Sequence, residues 1–259
     1  MIKTSFHTHT TFCDGKNTTE EMVLAAIEKG FVAIGFSSHS PAAPGGVPQD
    51  YTCTDINGYI AEINHLKEKY KNKIKIYCGI EMDYYSKVDP SLFEYTIASV
   101  HTIEKDGKFF EVDHCEKTFL ESVKNEWNGD YYAYAEDYFE FVSRLKGDII
   151  GHIDILCKFN EGDKLFSTKD KRYLAAAEKC VKKLCENNKL FEINTGAIGR
   201  GYRTTPYPSE EILKMIKKYG GEVIITSDCH NKEYIDCSYD EAFELAKKCG
   251  FSKINNLFV

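Results

Sequence analysis

Phe6-His7-Thr8-His9 is the stretch that decides how this chain folds, because it ends a short apolar, strand-like run with two imidazoles. Successive side chains of a β-strand point to opposite faces, so residues two positions apart point the same way. His7 and His9 are therefore expected to project from one strand toward one place. Asp14 adds a carboxylate in the loop that follows. The stretch predicts a strand whose carboxyl end carries metal-binding groups.

Short apolar runs alternate with longer helical patterns through almost the whole chain. Such alternation is typical of a parallel sheet with crossover helices. The predicted strands are 2–7, 32–38, 74–82, 96–101, 148–153, 190–194 and 222–227. The predicted helices are 19–29, 56–70, 118–126, 132–145, 169–186, 209–219 and 239–248, the first of them capped by Thr18 or Thr19.

Two architectures fit this order of elements: a doubly wound open sheet and a closed barrel. In both, functional groups collect at the carboxyl ends of the strands. A single site that receives a side chain from every strand requires the sheet to close into a barrel. Each predicted strand ends in a polar or metal-binding group, so a barrel is favoured. We predict an α/β fold with one domain over residues 1–259, a length that a single α/β barrel commonly reaches.

Nine side chains at or just after the predicted strand ends form the candidate metal site. Six of the eight histidines are among them, and the carboxylates supply negative charge between closely spaced cations. Nine ligands exceed the needs of one ion, so we expect two or three divalent ions of zinc, iron or manganese. The predicted ligands are His7, His9, Asp14, His39, Glu81, His101, His152, Asp228 and His230.

Some of these residues also have a structural interpretation. His101 and His152 could be hydrogen-bonded core residues, whereas a buried carboxylate such as Glu81 needs a cation nearby. Asp83 and Asp154 share strand faces with predicted ligands and are candidates for orienting the imidazoles, with solvated loop residues as the alternative.

Composition limits the classes of partner. The net charge of −7 disfavours a broad nucleic-acid surface, and no apolar run is long enough to cross a bilayer. None of the ten cysteines forms a CxxC pair, so reduced thiols are expected. The first residues lack the pattern of a signal peptide. We expect a cytoplasmic protein without nucleic-acid or membrane partners, and the sequence does not predict its oligomeric state.

A second cluster bears on the substrate. Two of the four arginines, Arg200 and Arg203, lie in a glycine-rich segment after the sixth predicted strand. Glycine lets backbone approach a ligand closely, and guanidinium groups match phosphate oxygens. This pattern predicts a phosphate-binding loop, with a solvated loop as the alternative. Lys158 is a third candidate phosphate contact.

The nine ligands, in their order along the chain, resemble the motifs of the polymerase and histidinol phosphatase (PHP) family, in particular its stand-alone histidinol-phosphatase branch. The resemblance implies a distorted barrel of seven β/α units, similar to a TIM barrel, with a trinuclear metal centre. It implies that the first ion is bound by His7, His9, Glu81 and Asp228, the second by Glu81, His101 and His152, and the third by Asp14, His39 and His230.

The resemblance also implies an activity: metal-dependent hydrolysis of a small phosphomonoester, in the first place L-histidinol phosphate in histidine biosynthesis. Glu81, Asp228 and His230 are the candidate catalytic residues, with Glu81 bridging two ions and Asp228 or His230 moving protons. Two alternatives stay open. One is a related phosphatase or phosphodiesterase that acts on another metabolite or nucleotide, and the other is a non-enzymatic metal-binding module.

Overall fold

The computed structural model describes residues 2–41, 51–187 and 190–258 of the 259-residue chain. The strands are β1 (Thr4–Ser5), β2 (Ala33–Phe36), β3 (Lys75–Asp83), β4 (Tyr95–Ser99), β5 (Thr102–Lys105), β6 (Lys108–Glu111), β7 (Ile149–Ile150), β8 (Leu190–Asn194) and β9 (Glu222–Thr226). The helices are α1 (Thr19–Glu28), α2 (Ile56–Tyr70), α3 (Glu116–Glu126), α4 (Tyr131–Val142), α5 (Lys171–Cys185), α6 (Gly196–Gly199), α7 (Glu210–Lys218) and α8 (Tyr239–Lys248).

Seven of the strands form a parallel sheet in the order β1-β2-β3-β4-β7-β8-β9. The first and last strands of this order meet just beyond their ends, where Thr8 pairs in parallel with Cys229. The backbone N–H of His9 donates to the carbonyl of Cys229 at 2.9 Å, and Cys229 donates to the carbonyl of His7 at 3.3 Å. The sheet is thus a nearly closed barrel, which confirms the predicted fold class.

A tyrosine fills the barrel interior below the strand ends. Tyr95 in β4 is 1% exposed, and its hydroxyl donates to the carbonyls of Phe6 at 2.6 Å and Phe36 at 3.0 Å. Glycine makes room for the ring, because a Cβ on Gly35 or Gly79 would lie 2.4 Å or 2.3 Å from Tyr95 atoms. Bonds from one hydroxyl to the first and second strands hold the barrel together beneath the site.

The helices pack their apolar faces on the outside of the barrel. In α1 the cap is Thr18, whose side chain accepts from the N–H of Glu21 while the Glu21 carboxylate accepts from the N–H of Thr18. This reciprocal capping box satisfies two donors that the first helical turn leaves unpaired. Met22, Val23 and Ala26 form the buried side of the helix. The predicted cap and helix are therefore confirmed.

Two differences from the sequence-based elements stand out. The predicted strands 2–7 and 148–153 are only two residues long in the structure, β1 and β7. The residues that follow β1 and β7 leave the hydrogen-bonded ladder and enter the site. The antiparallel hairpin of β5 and β6 was not predicted. Its turn is Asp106-Gly107, with φ of 51° and 78°, the sequence that two-residue hairpins favour.

No disulfide joins any of the ten cysteines in this structure. No helix in the described part of the chain is long and apolar enough to cross a membrane.

Candidate metal centre

Side chains from all seven barrel strands converge at the carboxyl end of the barrel. The convergence follows from the topology, because parallel strands all end at the same rim. It brings together the nine residues predicted from the sequence and adds one carboxylate, Glu192, from the strand that had supplied none. The contributors are His7, His9 and Asp14 after β1, His39 after β2, Glu81 in β3, His101 after β4, His152 after β7, Glu192 in β8, and Asp228 and His230 after β9.

Glu81 is the centre of this group. Its side chain is fully buried, and five imidazoles surround its two carboxylate oxygens. Ser99 donates its hydroxyl to Oε1 at 2.7 Å. The imidazole nitrogens nearest to Glu81 belong to His39 at 2.9 Å, His101 at 3.0 Å, His152 at 3.1 Å, His7 at 3.2 Å and His9 at 3.5 Å.

A second group lies beside it, toward solvent. His9, Asp14, His39 and His230 each offer one ligand atom, and these four atoms lie within 4.8 Å of one another. His230 Nε2 is 3.2 Å from Asp14 Oδ2, and the rings of His9 and His230 stack at a centroid distance of 4.0 Å. This set contains the three residues expected for the third ion together with His9.

Several buried ligand atoms have no hydrogen-bond partner among the described residues. They are His7 Nε2, His9 Nε2, Asp14 Oδ1 and Glu81 Oε2. Buried polar atoms in native proteins are almost always paired, so unpaired atoms that share one space point to a missing partner. Imidazole nitrogens and carboxylate oxygens at these separations suit divalent cations. The donor set fits a metal centre.

The charges in the centre keep Glu81 and His9 in metal-binding forms, whereas neighbouring carboxylates outweigh burial and raise the pKa values of His7, His39 and His101. Burial opposes ionisation of Glu81, but the imidazoles of His7 and His39 outweigh it and hold the pKa of Glu81 well below its usual range. Burial, together with the imidazoles of His230 and His39, lowers the pKa of His9 to about 3. Glu81 is therefore a carboxylate and His9 a neutral imidazole with a free lone pair at pH 7.

Glu192 is a functional candidate that sequence reasoning missed. It is 1% exposed, and its Oε1 lies 2.6 Å from His7 Nδ1 and 2.5 Å from the Thr226 hydroxyl that donates to it. Its Oε2 accepts from the backbone N–H of His152 and from Asn194, both at 2.8 Å. An acceptor at Nδ1 fixes the tautomer that leaves Nε2 of His7 for a metal. The signal in the sequence was a carboxylate inside a buried strand, the same signal as Glu81.

The β5–β6 hairpin brings a second orienting carboxylate to the centre. Asp113 follows β6, and its Oδ1 lies 2.9 Å from His101 Nδ1. Lys158 Nζ donates to the Asp113 carbonyl at 2.6 Å and to Oδ2 at 3.2 Å. Burial raises the pKa of Asp113, but Lys158 and His101 outweigh it and hold the pKa below its usual range.

Asp83 and Asp154, predicted to orient imidazoles, bind backbone instead. Asp83 accepts from the backbone N–H of His101 at 2.9 Å, and Asp154 accepts from that of Ser209 at 2.9 Å. His152 Nδ1 is left without a partner among the described residues.

The predicted phosphate loop is one turn of helix, α6. Arg200 follows it and donates to the Asp228 carbonyl at 2.9 Å and to Asp228 Oδ2 at 3.0 Å, with His230 Nδ1 also at 2.9 Å. Although burial opposes ionisation of Asp228, the Arg200 charge outweighs it and holds the pKa of Asp228 well below its usual range. Gly196 lets this carboxylate pack closely, since a Cβ there would lie 2.8 Å from Asp228 Cβ.

Arg203 is not brought to the metal centre. It donates to the carbonyl of Cys157 at 2.7 Å and to the Thr205 hydroxyl at 3.2 Å, and it pairs with Glu161 at 3.7 Å. These contacts tie the segment after α6 to the turn after β7. The structure thus separates the two predicted arginines: Arg200 lies at the ligands, and Arg203 braces a loop.

A cavity of about 360 Å³ opens above the centre. Its size suits a small metabolite. Predicted ligands form its floor, and Lys16, Glu111, Lys158, Arg200 and Tyr202 are among the other residues that line it.

Comparison with known proteins shows what this chain resembles. The chain is 26% identical over 271 residues to the histidinol-phosphatase of Bacillus subtilis, covering 94% of this chain and 99% of that protein. It is 27% identical over 265 residues to the histidinol-phosphatase of Lactococcus lactis, covering 98% of this chain and 94% of that one. The similarity thus extends over nearly the full length of these relatives.

A solved structure has the same fold. The histidinol phosphate phosphatase of Lactococcus lactis, solved in complex with zinc, L-histidinol and phosphate, superposes with a TM-score of 0.73 at 24% identity, covering 97% of this chain and 95% of that chain. The model of the PHP domain matches residues 5–196, which is more than half of the sequence. The chain therefore belongs to the PHP domain family.

Proposed function

We propose that this protein is a metal-dependent phosphomonoesterase, and specifically a histidinol-phosphatase that converts L-histidinol phosphate and water to L-histidinol and phosphate. The observation that carries the proposal is the buried group of imidazoles and carboxylates whose ligand atoms lack partners at the base of a cavity. The names of the relatives, matched over nearly their full length, support the substrate. We further propose that residues 1–259 act as one PHP domain.

The residues divide into three ligand sets. We assign His7, His9, Glu81 and Asp228 to one ion, Glu81, His101 and His152 to a second, and Asp14, His39 and His230 to a third. Bound divalent ions would activate water as a nucleophile and neutralise charge on the phosphoryl group. Zinc is the first candidate because the Lactococcus lactis structure contains it, with iron and manganese as alternatives that the same donor atoms accept.

The protein's own groups hold these ligands in place before the substrate arrives. Glu192 accepts from His7 and from the backbone of His152, so one carboxylate positions ligands of two ions. Asp113 orients His101 in the same way. Preorganised groups need not rearrange during the reaction. Positioning and charge stabilisation of this kind are the main contribution of a protein to phosphoryl transfer.

Proton transfer is assigned to the outer side of the centre. Asp228 and His230 both line the cavity and both contact Arg200. We assign the acceptance of a proton to the Asp228 carboxylate and its transfer toward the leaving alkoxide to His230, because both side chains line the cavity beside the ligand sets. Arg200 and Lys158 are the proposed phosphate contacts from the cavity wall, while Arg203 supports the loop that carries Arg200.

The experiment that tests the proposal combines metal analysis with a panel of phosphoesters. The purified protein should contain two to three divalent ions per chain and should release phosphate from L-histidinol phosphate faster than from other monoesters. Faster turnover of another monoester, or of a diester, would replace the substrate. Metal binding without hydrolysis of any phosphoester would favour the non-enzymatic module. Glu81→Gln should abolish turnover, and retained turnover would refute the centre.

A further inference from the structure

Most charged side chains that line the cavity are already paired within the protein. Lys158 is held by Asp113, and Arg200 is held by Asp228. Two others have no ion pair or side-chain hydrogen bond with any part of the chain that the structure describes: the Lys16 amine and the Glu111 carboxylate. Because no group in residues 2–41, 51–187 and 190–258 compensates their charges, they are available to bind groups of a ligand.

Lys16 is held at the cavity by its backbone. Its N–H donates to the carbonyl of His230 at 2.7 Å, which joins the loop after β1 to the loop after β9. The preceding turn requires Gly15, since a Cβ there would lie 2.4 Å from the backbone nitrogen of Thr10. Asp14, a predicted ligand, lies two residues away. The Lys16 backbone is therefore fixed at the edge of the third ligand set.

Glu111 lies on a different side of the cavity. It is the last residue of β6, where it pairs with Thr102 directly after His101. The hairpin follows β4, and β4 is three strands from β1 in the order of the barrel. In a ring of seven strands this separation is the largest available. One free positive and one free negative group thus face the same cavity from opposite sides of the barrel.

We infer that Lys16 and Glu111 select a phosphomonoester that carries its own positive charge. In this proposal Lys16 binds non-bridging oxygens of the phosphate, and Glu111 binds an ammonium or imidazolium group of the leaving alcohol. The lysine ammonium is a compact point charge that tolerates varied phosphate orientations. The inference rests on the proposed function, because it deepens the substrate class of the same site.

The test uses the metal-loaded protein and measures binding as well as turnover. Lys16→Met should weaken binding of inorganic phosphate by about five- to twentyfold in calorimetric titrations, as expected for loss of a charge-assisted hydrogen bond at an exposed site. Glu111→Gln should weaken binding of L-histidinol by a similar factor. Glu111→Gln should also reduce the preference for a charged substrate. The ratio of kcat/KM for L-histidinol phosphate to kcat/KM for glycerol phosphate, whose alcohol is uncharged, should fall about fivefold.

Matched controls make the same charge changes away from the cavity. Lys146→Met, before β7, and Glu222→Gln, at the start of β9, lie at the amino-terminal end of the barrel and should bind both ligands like the wild type. Wild-type affinity of Lys16→Met for phosphate and of Glu111→Gln for L-histidinol would overturn the inference. A second result would also overturn it: a variant that binds less metal but whose metal-loaded fraction binds phosphate with normal affinity. In that case the substituted residue supports the structure of the metal centre and does not bind the substrate. If the wild type hydrolyses no monoester, the proposed function fails, and the two titrations still decide the inference.

Discussion

Replacing Glu192 with glutamine probes how the protein positions its ligands. The four donors around this carboxylate are shared between its two oxygens: His7 and Thr226 face Oε1, and His152 and Asn194 face Oε2. Glutamine has nearly the same shape but only one oxygen. Whichever way the amide is turned, its NH₂ group faces two groups that were donating to the carboxylate.

The size of the effect follows from these contacts. If the NH₂ faces the side of His152, two buried donors lose their acceptor, and each costs about 1–3 kcal/mol. If it faces His7, the imidazole must present its lone pair at Nδ1 and carry its proton at Nε2, where the metal should bind. We therefore expect an unfolding free energy lower by about 2–6 kcal/mol and metal affinity weaker by about 10- to 100-fold.

The assay is competition for zinc with a chromophoric chelator, accompanied by urea unfolding of the metal-free protein. Glu222→Gln in the neighbouring strand is the control, because its carboxylate is exposed. Burial opposes ionisation of Glu192, but His7 outweighs it and keeps the pKa of Glu192 below its usual range. A carboxylate whose pKa is lower in the folded than in the unfolded state stabilises the fold at pH values above its unfolded-state pKa of about 4.3. This stabilisation is lost as the pH falls toward the folded-state pKa. The stability gap between wild type and Glu192→Gln should therefore narrow below about pH 4.

Zinc affinity of Glu192→Gln equal to that of the control would refute the reasoning. An equal loss of stability at pH 7 and at pH 3 would show that the charge of Glu192 is not the cause.

Three further predictions concern other parts of the site. Gly15→Ala should destabilise the protein by about 3 kcal/mol and reduce bound metal, because the new Cβ would overlap the backbone of Thr10; urea unfolding with metal analysis checks this, and a stable, fully loaded variant would contradict it. Removal of metal with a chelator should lower Tm, and zinc should restore it; at a free zinc concentration of 100 Kd the gain in unfolding free energy should be about 2.7 kcal/mol. Scanning calorimetry that finds no shift in Tm would count against a metal centre. Cys115, whose pKa is lowered by hydrogen bonds with Thr118, should react with iodoacetamide at least about tenfold faster than Cys157, whose pKa burial raises to about 12; peptide mass spectrometry with equal labelling of both thiols would refute the assignment.

The parts of the centre that the sequence predicted are those whose residues carry a signal of their own. A histidine at the end of an apolar run, as with His7 or His152, is informative before any contact is known. The barrel followed from the same residues, since ligands after the first and last strands can meet only if the sheet closes. Glu81 was interpretable because a carboxylate inside a buried strand needs a partner.

Other features depend on contacts that local sequence does not specify. Arg200 was predicted to meet phosphate, yet its partner in the structure is Asp228, 28 positions away and placed there by the packing of Gly196. Arg203 showed the same local pattern and lies elsewhere. The hairpin at Asp106-Gly107 and the carboxylate of Glu192 did carry recognisable signals. These two signals lie in a turn and in a strand interior, whereas the predicted site rested mainly on residues at strand ends.

The pairing of Thr8 with Cys229 determines when the barrel can close during synthesis of the chain. These residues are 221 positions apart, and at a translation rate of about 5–20 residues per second the first waits roughly 10–45 s for the second. During that interval β1 has a neighbour on one side only, and the ligand sets lack Asp228 and His230. Closure of the barrel and completion of the metal centre thus fall at the same late moment of synthesis. A nascent chain that is stalled before residue 228 should hold its early ligands without retaining the full set of ions.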